Sequence, residues 1–282
     1  MKKNIVAALV VFLVCMAGFA VRAETAVPKL LLNPAKPGPG DIVIVIVTGV
    51  TGPVDGKFND KKLYFVPGKD NFQAVLGIDL FTEPGTYTLD LAANNKVLSR
   101  PVTVVEKKYP VQKLTLPKDM VELSPENEAR AEREQKKVAA IWPKENDRLW
   151  NGNFTNPREG EISTKFGLRR VMNGISKNPH SGVDVAADEG KEVHAPNNAT
   201  VTMVDDLFYS GNSVILDHGQ GIYTMFFHLS KVLVTEGQQV KKGEVIALVG
   251  STGRSTGAHL HWGVRVQGAR VDPLELIKLK LE

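Results

Sequence analysis

The chain has 282 residues, enough for one large or two ordinary domains, and its 43% hydrophobic and 23% charged residues are those of a soluble globular protein. Its formal net charge of +4 is a weak argument for nucleic-acid binding. Lys2, Lys3 and Arg22 supply three of those charges from the extreme N-terminus, and the rest of the chain is nearly neutral at about +1.

The first 23 residues, "MKKNIVAALVVFLVCMAGFAVRA", have a basic start, an apolar run and a small-residue end at Val21-Arg22-Ala23. This is the pattern of a secretory signal peptide over residues 1–23, cut after Ala23. The apolar run is short for a membrane span, which favours cleavage over retention as an anchor. The chain is therefore expected to be exported, with no membrane span after cleavage. Cys15, the one cysteine, lies inside this segment, and Val14 before it is not the small residue that lipidation calls for. The mature chain would then hold no disulfide, although exported.

Residues 28–106 read as a first unit. "DIVIVIVTG", "KLYFVPG", "NFQAVLGID", "GTYTLDLA" and "RPVTVVE" are short β-rich runs separated by Gly, Pro, Asn and Asp. Such runs predict a β-sandwich of immunoglobulin-like type. The Cys…Trp…Cys pattern of true immunoglobulin domains is absent, and no cluster of catalytic type falls here. The unit is read as an accessory domain.

Residues 107–149 form a linker that starts extended and proline-spaced and ends in a charged helix. Ser124 is placed to N-cap it, Pro125 suits the first helical position, and Glu126 suits the positive end of the dipole. Leu123, Val138, Ala139 and Ile141 give it a narrow apolar stripe. Acidic and basic residues are interspersed, which argues against a nucleic-acid helix.

Residues 150–282 return to β patterning, with "GVDVAA", "ATVTMVDD", "NSVILDHGQGIYTMFFHLS", "EVIALVG" and "HLHWGVRV" as strands and "DHGQG" as a hairpin turn. The fold class expected for the whole chain is mainly β: an N-terminal sandwich, a connecting helix and a C-terminal antiparallel β domain. All six histidines lie between His180 and His261. In a strand, residues two apart share a face, so His259 and His261 point one way and Leu260 and Trp262 the other. By the same alternation Ile222, Thr224, Phe226 and His228 share a face.

A catalytic zinc takes three protein ligands and leaves a position for water. His180, Asp184 and one histidine of the HxH pair supply such a set in a chain without a mature thiol. One carboxylate leaves a net positive site, which lowers the pKa of bound water. The other HxH histidine and His228 could serve as general base and oxyanion donor. His194 reads as a half-buried strand residue and His218 as a hairpin residue holding its turn. A cupin-type site would want a further carboxylate soon after HxH, where "WGVRV" offers Arg265 instead.

At these residues the sequence resembles the lysostaphin-type zinc endopeptidases, the LytM or β-lytic metallopeptidase family. "STKFGLRRVMNGISKNPHSGVDVAADEGKEVHAP" resembles that family's opening block. "GNSVILDHGQGIYTMFFHLS" resembles its central hairpin, and "VTEGQQVKKGEVIALVGSTGRSTGAHLHWGVRVQGARVDP" its closing block. The resemblance spans about Phe154 to Pro273. It implies that one zinc ion is held by His180, Asp184 and His261, with His259 as general base or oxyanion partner and His228 as its companion. Ala258 stands where the family often has proline, and Trp262 where it often has phenylalanine; these could alter loop stiffness and the groove floor. Gly250, Gly253 and Gly257 are read as loop residues free to take positive φ. Tyr209, Tyr223 and Trp262 are candidates for a peptide groove, with core packing the favoured role for most aromatics here.

The resemblance implies an exported zinc metalloendopeptidase, residues 150–282, acting on peptidoglycan peptides. The alternative is a non-catalytic wall-binding module or an activator of another cell-wall hydrolase. No nucleic-acid partner is expected. The N-terminal unit is read as binding a cell-wall or division partner, or as covering the groove.

Overall fold

A computed structural model describes residues 28–94, 96–115, 123–144 and 146–281. The expected signal peptide and Cys15 lie outside the described residues. None of the described helices is long and apolar enough to cross a membrane.

The N-terminal part holds β1 (Lys29–Asn33), β2 (Ile42–Thr48), β3 (Asp55–Phe58), β4 (Lys61–Leu63), β5 (Val66–Pro67), β6 (Asn71–Gly77), β7 (Gly85–Ala93) and β8 (Lys96–Val104). They form two four-stranded antiparallel sheets, ordered β1-β2-β6-β5 and β4-β3-β7-β8. Alternating residues of both sheets, Val43, Val45, Val47, Leu76, Leu89, Leu91 and Val102 among them, meet in one buried core. That period-two pattern is the reason these short runs fold as facing sheets.

The linker contributes β9 (Val111–Leu114) and α1 (Pro125–Ala139). The Ser124 hydroxyl accepts a hydrogen bond from the Asn127 amide, and Pro125 opens the helix. No residue within α1 is fully buried. Val138 of α1, with Ile141 and Trp142 in the turn that follows it, packs on Met203, Leu207, Ile215, Tyr223 and Met225.

The C-terminal part holds β10 (Ile162–Thr164), β11 (Arg169–Met172), β12 (Ile175–Ser176), β13 (Gly182–Ala186), β14 (Glu192–His194), β15 (Ala199–Leu207) and β16 (Gly211–Asp217). After them come β17 (Ile222–Leu229), β18 (Lys231–Val232), β19 (Gln239–Val240), β20 (Val245–Leu248), β21 (His259–Val266), β22 (Ala269–Val271) and the short α2 (Pro273–Leu276). An eight-stranded sheet runs β10-β13-β21-β17-β16-β15-β19, with β22 also paired to β21. As expected, the "DHGQG" stretch joins β16 to β17 as a hairpin.

The central strand β21 organises this half. Leu260, Trp262, Val264 and Val266 enter the main core on one face of the sheet. His259 and His261 stand on the other. Part of that second face is apolar and covered, through Tyr223 and Met225, by the turn that follows α1; the remainder is polar and carries the histidines. The two halves of the chain touch directly. Ile42, Val75 and Leu80 enter the C-terminal core, and the Asp79 carboxylate accepts from the Arg270 amide at 2.8 Å and its guanidinium at 3.1 Å.

Candidate active site

Strand pairing sets the centre of the site. In the β13–β21 ladder Asp184 lies directly opposite His261, and in the β21–β17 ladder His261 lies opposite Phe227. Directly paired residues project to the same side of a sheet. Asp184 and His261 therefore meet, and the Phe227 ring stacks on the His261 imidazole at 5.3 Å with 5° between planes.

His180 joins from the turn before β13. Its amide donates to the Leu168 carbonyl at 2.9 Å, and its carbonyl accepts from the Gly167 amide at 2.8 Å. Three ligand atoms then form a small triangle. His180 Nε2 is 3.0 Å from His261 Nδ1 and 3.0 Å from Asp184 Oδ1, and His261 Nδ1 is 2.9 Å from Asp184 Oδ1.

The triangle suits a metal ion. Donors around a tetrahedral ion with bonds of about 2.0–2.1 Å lie about 3.3–3.4 Å apart, so a few tenths of an ångström of spreading accommodates it. The set is two imidazoles and one carboxylate, the ligand chemistry of a borderline divalent cation. Outer contacts fix the ligands as well. A carbonyl oxygen can only accept, so the 3.1 Å contact of His180 Nδ1 with the Lys165 carbonyl makes Nδ1 the donor and leaves the Nε2 lone pair for the triangle. The Ser163 hydroxyl donates to the Asp184 carbonyl.

Electrostatics agree with this role. Burial opposes ionisation of Asp184, but the adjacent His180 and His261 imidazoles outweigh it and hold the carboxyl well below its ordinary range. Burial pushes His261 down to about 4, so its ring is neutral at pH 7, the form that ligates.

Gly182 makes room for this arrangement. A Cβ at that position would stand 2.7 Å from His261 Nε2 and would collide with the Trp262 carbonyl. The glycine between His180 and Asp184 is thus required by the close approach of the His261 ring.

His259 and His228 complete the cluster. His259 Nε2 is 3.8 Å from Asp184 Oδ1, and its Nδ1 donates to the Gly257 carbonyl at 2.9 Å. His228 Nδ1 donates to the Thr252 carbonyl at 2.8 Å, and its ring centre is 4.8 Å from that of His259. In their neutral forms both rings therefore keep Nε2 as a free acceptor. Burial lowers the pKa of His228, which favours that neutral form.

The placement of His228 differs from simple strand alternation. Phe226 faces the main core, while His228 lies against His259 and His261. The reason is a bulge. Val214 pairs with Phe226 and Asn212 with Leu229, so Phe227 and His228 together oppose Ser213. His228 takes φ of 63°, in the left-handed region that non-glycine residues seldom occupy. The extra residue turns its ring to the face of the metal ligands.

Other expectations divide. His194 is half-buried at the end of β14. His218 is fully buried, donating from Nδ1 to the Asn198 carbonyl and accepting at Nε2 from the Thr224 hydroxyl, both at 2.9 Å. It lies apart from the triad. Tyr223 and Trp262 are core residues; the Tyr223 hydroxyl donates to the Ile141 and Lys144 carbonyls, and Trp262 faces away from the histidines, so it is no groove floor. Tyr209 is exposed. Of the three loop glycines, Gly253 alone has positive φ; Gly250 is needed instead because a Cβ there would meet the Ser230 backbone. The outer contacts from Lys165, Thr252 and Gly257 carbonyls are invisible to residue-type patterns, since any residue has a carbonyl.

Comparison with solved structures places this geometry. A crystal structure assigned to peptidase M23 from Pseudomonas aeruginosa is 34% identical to the chain, with a TM-score of 0.71, and the match covers 86% of this chain and 95% of that one. The chain belongs to peptidase family M23. The family model for peptidase family M23 matches residues 178–273, which include all five clustered side chains. This M23 chain is also 40% identical over 116 residues to peptidoglycan DD-endopeptidase ShyA of Vibrio cholerae, covering 40% of this chain and 27% of that protein. It is 40% identical over 115 residues to DD-carboxypeptidase/endopeptidase Mpg of Neisseria meningitidis, covering 41% and 26%. The match thus spans about a quarter of the length of these curated relatives.

Proposed function

We propose that this M23 chain is a zinc metalloendopeptidase that hydrolyses peptide bonds in bacterial peptidoglycan. The observation that carries the reading is the convergence of His180, Asp184 and His261 beside two histidines whose Nδ1 atoms are tied to backbone carbonyls. The names of the peptidoglycan-acting relatives support the substrate, and their DD-endopeptidase activity favours a DD bond of the cross-links.

In this reading His180, Asp184 and His261 hold one zinc ion. When bound, zinc lowers the pKa of water at the site and polarises the scissile carbonyl. His259 Nε2 takes the proton of the attacking water. His228 begins with a bare Nε2 and donates to the tetrahedral oxyanion only after that proton has passed to it from His259. The two rings, 4.8 Å apart, therefore act as a pair through which the water's proton is accepted and later delivered to the leaving amine. Residues 1–23 direct export, and the site of action is the periplasm or cell envelope. The N-terminal unit, read as immunoglobulin-like, takes a wall or division partner.

Purified peptidoglycan incubated with the zinc-loaded chain tests this. Release of soluble peptidoglycan fragments, abolished by chelation and restored by zinc, is the expected result, and product masses name the bond. A loaded chain that binds the wall but leaves its cross-links intact contradicts hydrolysis and favours a binding module or an activator.

A further inference from the structure

The two loops that hold His228 also present an aromatic ring and a cation beside it. The Ser210 carbonyl accepts from the His228 amide at 2.8 Å, and the Thr252 carbonyl accepts from its ring Nδ1 at 2.8 Å. One residue before Ser210 is Tyr209, a large side chain left 48% exposed. Two residues after Thr252 is Arg254, also exposed. The Arg254 amide donates to the Tyr209 carbonyl at 3.0 Å, and the Arg254 guanidinium lies 5.7 Å from the centre of the Tyr209 ring.

This shelf is rigidly mounted. Gly211 and Gly253 take φ of 60° and 70° and cross so closely that a Cβ on Gly211 would meet the Thr252 side chain and a Cβ on Gly253 would meet the Gly211 backbone. The Thr252 hydroxyl ties the two loops, accepting from the Asn212 amide and donating to the Leu229 carbonyl. From the other side α1 buttresses the ring. Glu134 accepts from the Phe208 amide at 2.7 Å, and Phe208 meets Tyr209 edge-on at 5.1 Å. Arg130 is engaged with Glu134 at 2.6 Å and with the Asp206 carbonyl at 2.9 Å.

We propose that Tyr209 and Arg254 form a substrate subsite on the His228 side of the metal site, with Arg254 binding a free carboxylate of the substrate peptide and the Tyr209 ring packing against its backbone. The inference rests on the proposed action on peptidoglycan peptides, whose stems carry free carboxylates. A guanidinium offers a planar fork of donors matched to a carboxylate. A rigid ring supplies contact area at small entropic cost. The pair is placed to set affinity and orientation, while His228 and His259 act on the bond.

The test is calorimetric binding of a soluble cross-linked muropeptide, and of the same compound with its free carboxylates converted to carboxamides. The protein is the full mature chain, zinc-loaded, carrying His259→Ala to prevent turnover. Arg254→Gln is expected to weaken binding of the free-carboxylate compound about 10-fold to 100-fold while leaving the carboxamide within about twofold. Arg254→Lys recovers part of the loss, and Tyr209→Leu weakens both compounds alike. Unchanged binding in Arg254→Gln, an equal loss for both compounds, or no binding to either by the parent chain overturns the subsite. An Arg254-dependent difference in a chain that, with His259 intact, cuts neither compound keeps the subsite and overturns the hydrolase reading.

Discussion

Asp184 and His261 face each other across the β13–β21 ladder, and their side chains meet with Oδ1 and Nδ1 2.9 Å apart. Two of the three ligands are thus fixed by backbone pairing. His180 is then fixed by the turn that leads into β13. Removing any one leaves two ligands, too few for tight binding. His261→Ala and Asp184→Ala are each expected to lose bound zinc and nearly all hydrolysis; metal analysis after gel filtration checks this, and one zinc per chain in either variant would refute the ligand set.

Gly182→Ala probes the same ladder without replacing a ligand. The added methyl meets His261 Nε2 and the Trp262 carbonyl. A clash of this kind in packed surroundings costs about 1–3 kcal/mol. We expect weaker zinc retention and a lower melting temperature, read by competition with a chelating dye and by calorimetry. Wild-type values in both would show that β21 has room to yield.

Thr252 tests the mounting of His228. Its hydroxyl makes two hydrogen bonds at 3.0 and 2.9 Å, and its carbonyl holds His228 Nδ1. Thr252→Val removes the hydroxyl and keeps the shape, at a cost of about 1–3 kcal/mol if the Asn212 amide stays unpaired. A fall in kcat with zinc content unchanged is the expected outcome, and an unaltered kcat would separate His228 orientation from this loop.

The buried His218 gives stability a defined pH dependence. Burial holds it at about 4 in the folded chain, against 6.5 as its ordinary value. Between those values the unfolded chain binds the proton that the folded chain refuses. Its contribution is therefore complete above about pH 6.5, falls as the pH drops towards about 4, and amounts to roughly 3 kcal/mol at most. Denaturant melts across this range, beside His218→Gln, measure the slope. A His218 ring signal that titrates near pH 6.5 in the folded chain would contradict it.

The turn that follows α1 belongs to the site-bearing sheet by packing. Ile141 and Trp142 cover Tyr223 and Met225 on the same face that carries His259 and His261. A chain starting at Trp150 would expose those residues, and one starting at Ser124 would keep them covered. The longer chain is expected to melt higher and the shorter to aggregate, with Ile141→Ala costing about 2–5 kcal/mol in the full chain. Equal melting of both truncations would remove the helix from the folding unit.

Much of this was legible in the sequence because strand alternation is strict where it is undisturbed. The "HLH" spacing put His259 and His261 on one face and Leu260 and Trp262 on the other, and the ladder keeps that division. Alternation failed at His228, where a bulge inserts one residue and reverses the side. Nothing in "FFHLS" marks a bulge; the His228 amide and ring are held there by the Ser210 and Thr252 carbonyls, both distant in sequence. The buttress from Glu134 and Arg130 was hidden for a similar reason: interspersed charges on a helix look solvated until the partner loop is in place.

Zinc content and hydrolysis measured on the same samples of the mature chain and of His259→Ala test the central claim most directly. The account predicts about one zinc per chain in both. It also predicts release of soluble peptidoglycan fragments by the mature chain that falls about 100-fold or more in the variant. Full activity in His259→Ala, or full activity in a mature chain stripped of metal, would contradict it.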